Sequence, residues 1–461
     1  MINRLLLAYY GDDFTGSTDA LEFLSRAGIR TVLFIEPPTA EQLQHYEGLQ
    51  AIGVAGMTRA MVPQKMEETL KPSFIALRDL NPRHVHYKVC STFDSSPMVG
   101  SIGKAIDIGY EVFQSEYVPL LVAAPALGRH CAFGNLFAKL GIGSEGAIFR
   151  LDRHPSMSKH PVTPADESDL RLHLSKQTDK KSGLIDILQV EQSFEENRSS
   201  IGNLLQQGNQ IIFFDAIYQH QMPAIGKLID NSAQVDKPVF SVGSSGIEMA
   251  LGAHWKESGI AGQQAEWNAI EDQGAILVVS GSCSPVSSAQ IKYALQNGFK
   301  EIALDTEKLA ADGWTEEEGA AYIKQAAEYL NAGFDVLVHT SLGSDDSRVH
   351  RTKEIFKQKG IAKTDTALLY GTALGKIASG AAEQTSLKRI IIAGGDTSSY
   401  AARAMGIEAV EMIAPLSPGA PLCKAYAPNS AIDGLEVNFK GGQVGKEDYY
   451  VVAKGKKMNT N

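Results

Sequence analysis

The chain of 461 residues carries only four cysteines, Cys90, Cys131, Cys283 and Cys423, far apart and with no C-x-x-C pair. Such spacing argues against a disulfide framework or a zinc cage and suits a reducing compartment, so a cytoplasmic protein is expected. No apolar run approaches the ~20 residues of a membrane helix. Met1-Ile2-Asn3-Arg4 leads straight into a strand, without the apolar core and small-residue cleavage site of a signal peptide. A basic excess is lacking too: the formal charge of −10 argues against nucleic acid or an anionic membrane as partner, yet leaves room for a local phosphate pocket. Several catalytic signatures are absent. G-x-x-x-x-G-K-[ST] does not occur, and its nearest approach, Gly371-Thr372-Ala373-Leu374-Gly375-Lys376-Ile377, reads better as helix. No G-x-G-x-x-G turn joins a strand to a helix with an acid about twenty residues on, which disfavours a nicotinamide enzyme. Neither H-E-x-x-H nor G-x-S-x-G is found, which disfavours a zinc protease or a serine hydrolase. There is no fixed-period repeat.

What is present describes an ordinary globular protein, 44% hydrophobic and 21% charged, long enough for two domains. The opening run Leu5 to Tyr10 reads as a buried strand. It meets the turn Gly11-Asp12-Asp13-Phe14-Thr15-Gly16, after which Ser17, Thr18 and Asp19 can cap a helix with Leu21 and Leu24 on one face. Ligands of open α/β sheets gather where strand ends meet helix starts. Two adjacent carboxylates there suit a general base for a substrate hydroxyl. The alternative is that both merely cap the helix.

Further strands are expected at Arg30–Ile35, Ala51–Gly56, His84–Val89 and Val118–Pro125. The second of these runs delivers Thr58-Arg59, where a guanidinium fork could grip a carboxylate. The third carries Lys88 inside an otherwise apolar strand, which is costly unless the ammonium reaches an anion or water. Arg129 and His130 again lie past a strand end. His154 and His160 have no ligand spacing, so no metal site is expected. A helix is expected from Asp166 to Gln177, then strands at Ile211–Asp215 and Val239–Val242, and a helix through Leu251. The polar stretch 256–274 reads as a linker between domains at 1–255 and 275–461.

In the second half, strands at Ala275–Val279, Asp335–Ser341 and Lys388–Ala393 are accompanied by three turns rich in glycine or hydroxyls. These are Ser280-Gly281-Ser282-Cys283-Ser284-Pro285, Gly394-Gly395-Asp396-Thr397-Ser398-Ser399 and Lys440-Gly441-Gly442-Gln443-Val444-Gly445. Each can wrap a polyphosphate with backbone N–H groups, although such residues also mark ordinary turns.

Taken with Asp12-Asp13-Phe14-Thr15-Gly16, Thr58-Arg59 and Ser417-Pro418-Gly419-Ala420-Pro421, these turns make the chain resemble the four-carbon acid sugar kinases over nearly its whole length. The resemblance implies two α/β domains with mainly parallel sheets and an active site in the cleft between them. It implies phosphoryl transfer from ATP with Mg²⁺ to a small acid sugar, with no separate protein metal site and a homodimer left open. It would make Asp13, then Asp12, the catalytic carboxylate, and Arg59, Lys88, Thr15 and Thr92 the substrate contacts. Ser282, Ser284, Gly394, Gly395, Asp396, Thr397, Gly441 and Gly442 would surround the nucleotide. Many members carry an aspartate and an arginine where this chain has Cys90 and Asp94. The changed segment is similar to the branch associated with apiose breakdown, which implies 3-oxo-isoapionate as acceptor and its 4-phosphate as product. 3-Oxo-tetronate, erythronate and threonate are the alternatives within the family. An acid-sugar dehydrogenase or isomerase, or a non-catalytic sensor, are the alternatives outside it.

Overall fold

The computed structural model describes residues 4–140, 146–160, 162–262, 266–360 and 363–455. The chain divides into two compact units, Met1–Ala265 and Glu266–Asn461. In the first, eight strands form a wholly parallel sheet in the order Thr31–Phe34, Ala51–Ala55, Leu7–Gly11, His84–Lys88, Val239–Gly243, Val118–Leu121, Ile211–Phe214 and Ser182–Ile185. The central strands are buried at every residue, as a sheet covered by helices on both faces requires. A separate antiparallel sheet of Arg129–Ala132, Asn135–Lys139 and Ile148–Arg150 stands beyond the end of Val118–Leu121.

The second unit has five parallel strands, ordered Lys300–Ala303, Val336–His339, Leu277–Ser280, Arg389–Ala393 and Glu436–Lys440. The antiparallel strands Ala420–Tyr426 and Ala409–Ser417 follow, joined at the Pro418-Gly419 turn. Ile276, Val278, Ile391, Leu337 and Phe299 lie at the centre of its core. Both units are thus of the α/β class, with mainly parallel sheets.

Two expected helices differ. The first begins at Phe14, with Asp13 as its cap, because the Asp13 carboxylate accepts from the Gly16 N–H at 2.6 Å; Ser17, Thr18 and Asp19 lie inside the helix Phe14–Arg26. The helix expected over 166–177 is only Leu170–Leu174, since Asp169 accepts from Arg171 N–H and starts it late. The expected linker stretch also begins in helix, as Gly246–Glu257 runs into it.

The strand His84–Lys88 shows how the first unit is tied together. Alternation puts His84, His86 and Lys88 on one face. Three buried acids from three helices meet them: Asp230 lies 2.8 Å from His84, Glu248 2.6 Å from His86, and Asp19 3.7 Å from Lys88. Asp230, at the start of the strand, also accepts from Arg83 at 2.8 Å and from Trp255 at 3.2 Å. Burial alone would raise its pKa, but the bonds from His84 and Arg83 outweigh that and hold it well below the usual carboxylate range. Its contribution is therefore full above about pH 4 and is lost as pH falls below that. Asp230→Ala strands these donors, and we expect it to cost about 3–5 kcal/mol at pH 7. Urea unfolding checks this; a loss under about 1 kcal/mol would contradict a working ion pair and match an exposed one.

Candidate functional site

The end of the strand Leu7–Gly11 brings the two aspartates to the sheet edge. Asp12 N–H donates to the Lys88 carbonyl at 2.8 Å and Asp12 C=O accepts from Arg59 N–H at 3.0 Å, so three strand ends are tied at one point. The Arg59 side chain then clasps both acids. Nη2 and Nε reach the Asp12 carboxylate at 2.9 and 3.3 Å, and Nη1 reaches Asp13 at 2.6 Å. Burial opposes the Arg59 charge, yet Asp12 and Asp13 together hold its pKa well above the ordinary value. For Asp12, burial prevails over the pull of Arg59 and raises the carboxyl. Asp13 is the more open of the two, its side chain 16% exposed against 4%.

Lys88 is buried beside them and answers the question posed by its sequence position, since the ammonium turns inward. Burial pulls its pKa down, but Asp19, Asp12 and Asp13 outweigh that and raise it. Gly16 makes room: a Cβ there would fall 2.6 Å from Asp13 Oδ1 and 2.9 Å from Lys88 Nζ. Thr15 Oγ1 is buried without a partner. Thr92 lies on the following turn, where its hydroxyl meets Cys90 Sγ at 3.0 Å. That turn passes through Phe93 at φ +57°, a conformation costly for a side-chain-bearing residue and held here by the burial of its ring. Burial raises the Cys90 thiol, so the residue is a neutral, polarisable wall.

His130, His154 and His160 hold no metal arrangement. His130 Nδ1 meets the Ile217 carbonyl, while His154 and His160 accept local backbone N–H groups. Among the described residues no three of His, Cys, Asp and Glu are grouped to hold a metal ion.

In the second unit the three turns converge. Gly394 N–H donates to the Lys440 carbonyl at 2.9 Å, and Gly281 N–H to the Ala393 carbonyl at 3.0 Å. Ser284 Oγ donates to the Gly442 carbonyl, joined by Ser287 Oγ at 3.3 Å. Ser284 also caps the helix Pro285–Gln296, and Gly394 stands before the helix Gly395–Ala404. Two helix starts therefore share one place, which suits a polyphosphate. A Cβ on Gly281 would fall 2.3 Å from Thr397 Oγ1, and one on Gly442 2.8 Å from Ser282 Oγ. Thus Ser282, Ser284, Gly394, Gly395, Thr397 and Gly442 are brought together, with Asp396 in the first turn of Gly395–Ala404.

The comparisons with known proteins agree with this division. A sugar-binding N-terminal domain family matches residues 7–251, and a nucleotide-binding C-terminal domain family matches residues 277–450. A 3-oxo-isoapionate kinase of Paraburkholderia graminis is 40% identical over 97% of this chain and 93% of its own. The chain belongs to the four-carbon acid sugar kinase family. A 3-oxo-tetronate kinase of Pseudomonas savastanoi is 27% identical over 98% of this chain and 97% of its own. A solved structure from Salmonella typhimurium LT2 shares the fold, with a TM-score of 0.76 at 23% identity, covering 97% of this chain and 98% of that one.

For an acid sugar kinase, one residue of the second unit escaped the sequence reading. Lys440 is wholly buried, its Nζ 3.4 Å from Ser287 Oγ and within 5.6 and 6.0 Å of the Tyr449 and Tyr450 rings. Its carbonyl ties Gly394, so it joins two of the turns to the helix Pro285–Gln296. Burial pushes its pKa down to about 7. The only signal was a lysine ending an apolar strand before two glycines.

Two predictions follow from the geometry of this unit. Gly442→Ala should weaken nucleotide binding at least about tenfold, because the added carbon meets the Ser282 and Ser284 side chains; calorimetry with ATP checks it, and unchanged affinity contradicts the packing. Lys440 loses its proton more easily folded than unfolded, so the wild type should gain stability relative to Lys440→Met as pH rises from 7 towards 10. The gain approaches about 1.4 kcal/mol per pH unit. A difference in stability that stays flat with pH contradicts the neutralising burial.

Proposed function

We propose that this kinase phosphorylates 3-oxo-isoapionate, forming its 4-phosphate with ATP and Mg²⁺. The observation that carries the reading is the full-length likeness to a 3-oxo-isoapionate kinase, at 40% identity against 27% for a 3-oxo-tetronate kinase. The Cys90–Thr92 contact supports it, since it places a soft, uncharged thiol beside the aspartates, where a bulkier branched acid can pack.

In this reading the first unit holds the acceptor and the second the donor. Asp13, the more open carboxylate, orients the attacking hydroxyl and takes its proton. Arg59 holds both aspartates in place, and Lys88 supplies positive charge where the acceptor's oxygens lie. Thr15 and Thr92 offer hydroxyls to the sugar. On the donor side, backbone N–H groups at Gly395, Thr397, Gly441 and Gly442, with the Ser282 hydroxyl, cradle the phosphates, while the Gly394 N–H and the Ser284 hydroxyl brace the turns through the Lys440 and Gly442 carbonyls. Mg²⁺ fits a site with a single carboxylate, because it commonly binds through phosphate oxygens and one or two acids; Asp396 would be that acid. When bound, the ion neutralises charge on the phosphates.

Activity is tested by ADP release with Mg²⁺-ATP against 3-oxo-isoapionate, 3-oxo-tetronates, erythronate and threonate. The expected outcome is a kcat/KM for 3-oxo-isoapionate at least about tenfold above the others, the scale of one substituent in a shaped pocket. A higher value for a 3-oxo-tetronate would move the assignment to that substrate. Asp13→Asn should lower kcat by about 10²–10⁴ while the melting temperature changes little; a variant that turns over normally at saturating substrate rules out the base role.

A further inference from the structure

Arg59 was expected to hold the substrate carboxylate, but Asp12 and Asp13 already engage its nitrogens. A second guanidinium in the same unit is differently placed. Arg129 opens the strand Arg129–Ala132, beyond the end of Val118–Leu121, two strands from His84–Lys88 in the sheet. It is 6% exposed. All its side-chain hydrogen bonds run through one nitrogen: Nη1 donates to the carbonyls of Leu127, Gly128 and Lys139 at 3.2, 3.3 and 3.0 Å. Nε is buried without a partner, and no acid forms an ion pair with Arg129 among the described residues.

A buried cation with half its donors unmade is costly. The unbonded edge, Nε with Nη2, is the edge that takes a carboxylate in two parallel hydrogen bonds. Its surroundings belong to the acceptor site. Burial lowers the Arg129 pKa, opposed by Cys90, Asp94 and Asp19, and Cys90 is likewise an electrostatic neighbour of Arg59 and Lys88. Asp94 is an electrostatic neighbour of Arg129 without an ion pair to it, and its own Oδ1 is buried with no donor. One unmade donor edge and one unmade acceptor thus lie in the same neighbourhood, as a ligand with a carboxylate and a hydroxyl would satisfy.

We propose that Arg129 grips the carboxylate of the acid sugar through its Nε–Nη2 edge, with Nη1 anchored on the loop carbonyls so that the fork is fixed in advance. This rests on the acceptor reading above. A fixed fork loses little freedom on binding, which favours affinity.

The test compares 3-oxo-isoapionate with its carboxamide, which keeps the skeleton and removes the charge, in the wild type, Arg129→Met and Arg129→Lys. The wild type should prefer the acid. Arg129→Met should raise KM for the acid by roughly 100-fold, the scale of a lost charge-assisted pair, and leave the amide nearly unaffected. Arg129→Lys, with a point charge but no fork, should recover part of the preference. A purely structural role, bracing the loop carbonyls, would lower the melting temperature and raise KM for both compounds alike. That result, or a preference for the acid undiminished in Arg129→Met, overturns the proposal. If Arg129→Met does not fold, the Arg129→Lys ratio decides on the same terms. Should the wild type transfer phosphate to neither compound, the kinase reading fails by itself. The acid-to-amide ratio of dissociation constants, measured by calorimetry in wild type and variants, then decides for or against Arg129 independently.

Discussion

Two carboxylates on consecutive residues at the buried end of a strand would repel one another and shed a charge if left alone. Arg59 opposes this by lying across both, 2.9 Å from Asp12 and 2.6 Å from Asp13. The other side chains proposed for the acceptor site are arranged around that clasp. Arg59 is itself placed by its backbone bond to Asp12, and Gly100 makes room for it, since a Cβ there would fall 2.3 Å from the Arg59 carbonyl. The cations beside the clasp have different duties. Lys88 answers to Asp19, while Arg129 forms no ion pair among the described residues.

The alternation of His84, His86 and Lys88 against Asp230, Glu248 and Asp19 connects stability with function in one strand. Its first residue serves the fold, where a network on Asp230 locks the strand to the helices Met222–Asp230 and Gly246–Glu257. Its last residue serves the site. Buried pairs of this kind add little net stability, yet each is expensive to break singly. They therefore fix which face of the strand turns towards which helix.

Much of this was legible in the sequence. Apolar runs closed by glycine turns marked the parallel strands, and the structure brings Asp12-Asp13 together with Thr58-Arg59, and the three C-terminal turns with one another. Helix starts were less legible, because Asp13, Ser17, Thr18 and Asp19 are all good caps and only the Gly16 N–H bond decides among them. The antiparallel pieces Arg129–Ala132, Asn135–Lys139 and Ile148–Arg150 were missed, since short half-exposed strands carry weak alternation. Arg129 and Lys440 could not be valued from sequence. Their meaning lies in bonds not made, and those appear only once every neighbour is placed.

The central claim is that Arg59 holds the paired aspartates together, pulling the Asp12 carboxyl down against its burial, so that Asp13 can accept the acceptor's proton. The pH dependence of kcat tests it most directly, in the wild type and in Arg59→Met. Without the guanidinium the two carboxylates should share a proton, so the acidic limb of the profile should move to higher pH, by a unit or more on the scale of a removed neighbouring charge. An acidic limb that stays in place in Arg59→Met would contradict the account.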